Sequence, residues 1–118
     1  MSQFFAHMEL RSPDLKMAEA FYAKMFGWKY KKDTATSMPY ALVETGGLPS
    51  AGLMQAEPDG TPHWLPYLFV PDVEAALKQA QALGATVRMG AREIPGYGTA
   101  AVLADPAGSP FAIFKPNM

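Results

Sequence analysis

Residues 6–10 read AHMEL, residues 12–14 read SPD and residues 20–28 read AFYAKMFGW, and this stretch decides the fold. The alternation of side chains across residues 3–11 predicts a strand with an apolar face and a polar face. Pro13 ends the strand because it has no N–H for sheet pairing, and Ser12 or Asp14 can then cap a helix. Gly27 supplies a left-handed helix stop. The apolar stripe of this helix is predicted to comprise Leu15, Ala18, Phe21, Tyr22 and Met25.

The same plan returns in the second half of the chain. Three landmarks recur in order at nearly one interval: Asp14 with Asp72, Leu10 with Leu68, and Gly27 with Gly84. This repetition predicts two βαβββ modules that form a curled mixed sheet, an α+β fold. The alternative is an unrepeated α+β sandwich. We expect a single domain over residues 1–118, with module one at 1–57, a linker at 58–62 that is rich in helix and strand breakers, and module two at 63–118.

The remaining elements follow from alternation and from the positions of glycine and proline. Further strands are predicted at 28–32, 38–44 and 50–55 in module one, and at 64–70, 85–89, 99–104 and 110–115 in module two, with a helix from Val73 to Leu83. Loops are predicted at 45–49 and at 90–98, and a tight turn at 105–108.

Composition excludes several classes of function. Ten basic and eleven acidic residues give a net charge of -1, which does not favour binding to nucleic acid or to an anionic membrane. No apolar run approaches the roughly 20 residues of a membrane span. Cysteine is absent, so disulfides and thiolate metal sites are excluded. The first residues lack the regions of a signal peptide, and we expect a cytoplasmic location.

One face of the first strand contains the side chains that could contact a ligand. Phe5, His7, Glu9 and Arg11 alternate with the apolar side chains and would form a ligand-facing surface. Glu9 and Arg11 are expected to form an exposed ion pair, which would stabilise the fold little. In the alternative interpretation, Arg11 anchors an anionic ligand.

The order of four motifs resembles the vicinal oxygen chelate superfamily, which holds glyoxalase I, extradiol dioxygenases, fosfomycin resistance enzymes and bleomycin resistance proteins. The motifs are His7 before Asp14, FY at 21–22 with FGW at 26–28, Asp72 with LG at 83–84, and DPAG at 105–108 before a last apolar strand. The resemblance covers essentially the whole chain. It implies a small-molecule site on the concave face of the sheet and pairing into a homodimer. The resemblance does not determine the activity, because proteins with this fold have many different functions.

The resemblance also implies positions for metal ligands. In metal-using relatives, each module contributes ligands from its first and last strands, and His7 matches the first of these positions. The other positions fall on the strand that ends at Gln55, on Pro66 and on Ala112, and the last two have no side-chain donor. The implied metal site is therefore incomplete, and we expect no cofactor.

The leading hypothesis is a small-molecule-binding protein of the glyoxalase and bleomycin resistance type that holds an apolar or aromatic ligand. The rival is a metal-dependent lyase or dioxygenase that uses His7 with oxygens from Glu9, Glu44 or Gln55, so catalysis stays open. A third role for His7 is that of a general base. The candidate cavity residues are His7, Glu9, Arg11, Met54, Trp64, Tyr97 and Phe114, with Tyr40 as a further aromatic.

Overall fold

The computed structural model describes residues 5–32, 40–46, 50–56, 61–94 and 96–117. Each half of the chain contains a strand, a helix and three further strands, which confirms the two predicted βαβββ modules. The first half contains β1 (Phe5–Ser12), α1 (Leu15–Phe26), β2 (Tyr30–Lys32), β3 (Tyr40–Val43) and β4 (Ser50–Gln55). The second half contains β5 (His63–Phe69), α2 (Val73–Ala82), β6 (Thr86–Ile94), β7 (Gly98–Ala104) and β8 (Pro110–Pro116).

The chain forms two compact units. The N-terminal unit comprises His7–Leu65, and the C-terminal unit comprises Met1–Ala6 with Pro66–Met118. The boundary between the units therefore falls within β5. Most of the linker predicted at 58–62 and part of the loop predicted at 45–49 lie outside the described residues.

The N-terminal unit is a mixed sheet in the order β2-β3-β4-β1, with α1 packed against it. β1 and β4 pair in parallel, whereas β3 is antiparallel to both β2 and β4. Asp14 caps α1, since its carboxylate accepts a hydrogen bond from the Met17 amide at 3.0 Å. Gly27 ends the helix with a φ of 73°, the left-handed conformation that glycine adopts without strain. The core comprises Leu10, Leu15, Ala18, Ala41, Val43 and Leu53.

The apolar stripe predicted for α1 is only partly a core face. Leu15 and Ala18 are buried and Tyr22 packs against the core, but Phe21 and Met25 are 54% and 58% exposed. Helical spacing identifies an apolar stripe, but it does not show which of the residues in the stripe the sheet covers. Neither helix among the described residues is long and apolar enough to cross a bilayer.

The C-terminal unit repeats the arrangement with the order β5-β8-β7-β6. Asp72 caps α2 as predicted, through a 3.1 Å hydrogen bond from the Ala75 amide. The predicted loop at 90–98 is wrong for residues 90–94, because β6 continues to Ile94 and pairs with β7. Register shifts interrupt this pairing, and all four residues from Gly90 to Glu93 are exposed. An irregular, exposed strand tolerates the residue types of a loop, so the sequence pattern favours a loop here.

Candidate functional site

Three side chains of β1 form the start of a polar face. His7, Glu9 and Arg11 alternate along the strand and point away from the Leu10 side, as the sequence predicts. In the parallel register with β4, Ser50, Gly52 and Met54 lie beside these three residues in turn. Side chains in register on neighbouring strands share a face, so the sheet brings Met54 together with the three β1 candidates.

Both ring nitrogens of His7 form hydrogen bonds. Nδ1 lies 2.6 Å from the Ser50 hydroxyl, and Nε2 lies 2.5 Å from the Tyr40 hydroxyl. The Tyr40 hydroxyl donates its only proton to Glu9, so in neutral His7 the Nε2–H donates to Tyr40 and Nδ1 accepts from Ser50. Burial lowers the pKa of His7 from its ordinary value of 6.5, and the Glu9 carboxylate partly opposes this shift. His7 is therefore a neutral imidazole at pH 7.

Glu9 is the buried charged group of the site. Only 4% of its surface is exposed. Its Oε1 accepts the Tyr40 hydroxyl at 2.9 Å, and its Oε2 accepts Nε–H of Arg11 at 2.8 Å. The predicted Glu9–Arg11 pair is confirmed, but the expectation that it is an exposed pair is wrong. A buried carboxylate requires such donors, since an unpartnered one would be strongly destabilising.

A glycine on β4 allows Tyr40 to reach these partners. Tyr40 belongs to β3, and β4 lies between β3 and β1. The ring crosses β4 at Gly52, where an added Cβ would lie 2.3 Å from the hydroxyl oxygen and 2.4 Å from a ring carbon. No real Cβ approaches that closely, so any side chain at position 52 would displace the Tyr40 ring.

The described residues do not fit the metal centre that the superfamily implies. They contain no group of three or more His, Cys, Asp or Glu side chains arranged to hold an ion. His7 already uses both ring nitrogens in hydrogen bonds. Gln55, proposed above as an oxygen ligand, accepts the Leu15 amide through Oε1 and donates to the Pro13 carbonyl through Nε2. Gln55 therefore braces the start of α1 against the end of β4.

Trp64 lies away from the polar face. It packs against the core cluster that contains Leu10, with ring centroids 5.7 Å from Tyr22 and 6.5 Å from Trp28. Both contacts have nearly perpendicular rings, the edge-to-face geometry that aromatic pairs favour. Since Leu10 and Glu9 point to opposite sides of β1, the structure does not bring Trp64 together with His7, Glu9 and Arg11.

The last two candidates belong to the C-terminal unit. Tyr97 lies in the turn between β6 and β7, is 40% exposed, and accepts the Asn117 amide with its carbonyl oxygen. Phe114 on β8 is half-buried and lies in register with Phe69, with the ring centroids 6.2 Å apart. A role for either residue in ligand binding stays a prediction.

Sequence reasoning missed two residues of the site and the function of a third. The sequence predicts a strand at Ser50 and Gly52 but gives neither a role, and it indicates Tyr40 only as an aromatic cavity residue. Alternation along β4 places positions 50, 52 and 54 on one face, but the sequence does not reveal that β4 pairs in parallel with β1. The pairing and its register were needed to identify these residues.

Comparison with known proteins identifies relatives of this chain. The profile of the family described as Glyoxalase-like domain matches residues 7–114. CFP32 of Mycobacterium tuberculosis, named as a candidate glyoxylase, is 34% identical over 106 residues, and the anthracycline biosynthesis protein DnrV of Streptomyces peucetius is 29% identical over 129 residues. The alignments cover 88% and 93% of this chain but 40% and 46% of the relatives. The chain thus spans less than half the length of the curated relatives it matches.

Solved structures share the fold at low sequence identity. The hypothetical protein BH1468 from Bacillus halodurans has a TM-score of 0.75 at 12% identity, covering 100% of this chain and 97% of that chain. Methylmalonyl-CoA epimerase from Mycobacterium tuberculosis has a TM-score of 0.66 at 17% identity, covering 97% of this chain and 88% of that chain. Together, the matched profile and the shared fold show that this chain belongs to the Glyoxalase-like domain family, within the vicinal oxygen chelate superfamily.

Proposed function

We propose that this chain binds an apolar or aromatic small molecule on the polar face formed by β1, β3 and β4, without a metal ion. The observation that carries the proposal is the hydrogen-bonded chain Ser50–His7–Tyr40–Glu9–Arg11. It supplies several ordered polar groups on one sheet face, the feature that orients ligands in mostly apolar sites.

Charge balance on this face supports an uncharged ligand. The Glu9 carboxylate and the Arg11 guanidinium neutralise one another at 2.8 Å. Burial keeps His7 neutral at pH 7 by lowering its pKa. An anionic ligand would have to compete with Glu9 for Arg11, so the earlier alternative of an anion anchor is disfavoured.

Apolar groups on the same face support an apolar or aromatic ligand. Leu42 and Met54 lie in register with Gly52 and Tyr40, respectively, and both are half-buried. Methionine adapts its shape to irregular apolar partners. The Streptomyces relative is named for anthracycline biosynthesis, and anthracyclines are polycyclic aromatic compounds, which is consistent with this ligand class.

Ligand screening by NMR tests the proposal. Purified chain is mixed with a panel of neutral aromatic compounds, and binding is mapped through backbone amide shifts. We expect bound compounds to shift amides at Gly52 and Met54 on β4, and Tyr40→Ala to weaken binding. Tyr30→Phe is the matched control, because the Tyr30 hydroxyl donates to the Glu19 carbonyl away from the polar face. Compounds that bind wild type and Tyr40→Ala equally, or that shift only amides elsewhere, would contradict the proposal.

The remaining expectations are part of the same proposal. We keep a homodimer as the expected assembly, to be tested by analytical ultracentrifugation, and a cytoplasmic location, to be tested by fractionation. A glyoxalase-like lyase or dioxygenase activity is the rival. Turnover that requires a divalent ion and is lost in His7→Ala would favour it.

A further inference from the structure

The Tyr40 hydroxyl lies at a point on which two potential metal ligands converge. It is 2.5 Å from Nε2 of His7 and 2.9 Å from Oε1 of Glu9. Imidazole nitrogen and carboxylate oxygen are common zinc ligands, at about 2.0–2.2 Å. The two distances exceed these by less than an ångström, so a small rotation of each side chain, with the His7 proton moved to Nδ1, would accommodate a cation at this point. A cation and the hydroxyl cannot occupy it together.

We propose that Tyr40 excludes divalent cations from this face by holding its hydroxyl at the point where His7 and Glu9 converge, and that Gly52 makes room for it. The hydroxyl satisfies both groups, since it accepts from Nε2–H of His7 and donates to Oε1 of Glu9. By accepting from Nε2–H it also favours the His7 tautomer whose Nε2 has no lone pair for a cation. Its position depends on Gly52, because a Cβ there would lie 2.3 Å from the hydroxyl oxygen. Tyr40 and Gly52 thus determine the specificity of this face against divalent cations.

The Arg11 guanidinium also disfavours a cation beside Glu9. Its Nε–H donates to Oε2 of Glu9 at 2.8 Å, so the carboxylate already has a positive partner. A cation that approached Oε1 would be repelled by this guanidinium. The hydroxyl excludes a cation by occupying the point, and the guanidinium reduces the electrostatic attraction to it.

Metal titration of a Tyr40 variant tests the proposal. Metal-free wild type and Tyr40→Ala are titrated with Zn²⁺ by calorimetry. We expect Tyr40→Ala to bind one Zn²⁺ per chain about tenfold or more tightly than wild type, which corresponds to about 1.4 kcal/mol. The double variant Tyr40→Ala/His7→Ala should lose this gain, and Tyr30→Phe should behave as wild type. Equal Zn²⁺ affinity in wild type and Tyr40→Ala would overturn the proposal.

A second measurement on wild type remains informative if Tyr40→Ala does not fold. The imidazole nitrogens of His7 are observed by ¹⁵N NMR with and without Zn²⁺. Unchanged resonances support exclusion of the cation, whereas a coordination shift at Nε2 would overturn it. This inference is independent of ligand class, because the readout is metal affinity. Failure of the aromatic-ligand screen would leave the metal result unaffected.

Discussion

Replacing Tyr40 with phenylalanine removes one hydroxyl and keeps the ring over Gly52. The hydroxyl donates to the buried Glu9 carboxylate and accepts from His7. A hydrogen bond to a charged group contributes about 1.5–3 kcal/mol and a neutral one about 1 kcal/mol. Because the Tyr40 side chain is only half-buried, water compensates part of the loss. We therefore expect the free energy of unfolding to fall by about 2–3 kcal/mol.

Urea unfolding of wild type, Tyr40→Phe and Tyr30→Phe measures this effect. Tyr30 is also half-buried, and its hydroxyl donates one neutral hydrogen bond to the Glu19 carbonyl at 2.9 Å. Its loss should cost about 1 kcal/mol. Unchanged m-values would show that all three chains expose similar surface on unfolding. If Tyr40→Phe is no more destabilising than Tyr30→Phe, the hydrogen-bonded chain does not stabilise the fold as argued.

Three further outcomes follow from the structure. Gly52→Ala should destabilise by about 1–3 kcal/mol because its Cβ meets the Tyr40 ring. Gly90→Ala is the control, because its Cβ would meet nothing within 4 Å, and it should change the free energy of unfolding by less than about 0.5 kcal/mol. Equal destabilisation by Gly52→Ala and Gly90→Ala in urea unfolding would refute the clash with Tyr40. Burial lowers the pKa of His7 in the folded chain below its ordinary value of 6.5 in the unfolded chain, so as the pH falls the unfolded chain is protonated before the folded one. The free energy of unfolding is therefore fully retained above pH 6.5 and decreases below it. Wild type should therefore lose more stability than His7→Gln between pH 6.5 and about pH 5, and parallel pH profiles from urea unfolding would contradict this. Asp14→Ala should lower the unfolding free energy by about 1 kcal/mol and Asp14→Asn by much less, whereas equal losses in urea unfolding would indicate a role other than capping.

Local chemistry in the sequence determined the repeated plan of the chain. A proline that cannot pair and an aspartate whose carboxylate accepts a helix amide begin α1, and a glycine at φ 73° ends it, each acting on residues close to it in the chain. Their second occurrence around α2 predicted the second module. The same alternation placed His7, Glu9 and Arg11 on one face of β1. Short-range interactions of this kind depend only on residues that are close in sequence, so they could be predicted.

The Glu9–Arg11 pair was predicted from the sequence, but tertiary structure alone decided which side chains of other strands contact His7 and Glu9. The register of β1 with β4 places Ser50 beside His7 and Gly52 beside Glu9, although more than 40 residues separate each pair along the chain. Strand order then allows Tyr40 to cross β4 at the glycine and reach β1. Neither pairing nor register follows from local pattern, because both depend on how distant strands pack together. The sequence therefore determined which side chains of β1 face the site, and packing between strands decided that the Tyr40 hydroxyl lies between His7 and Glu9.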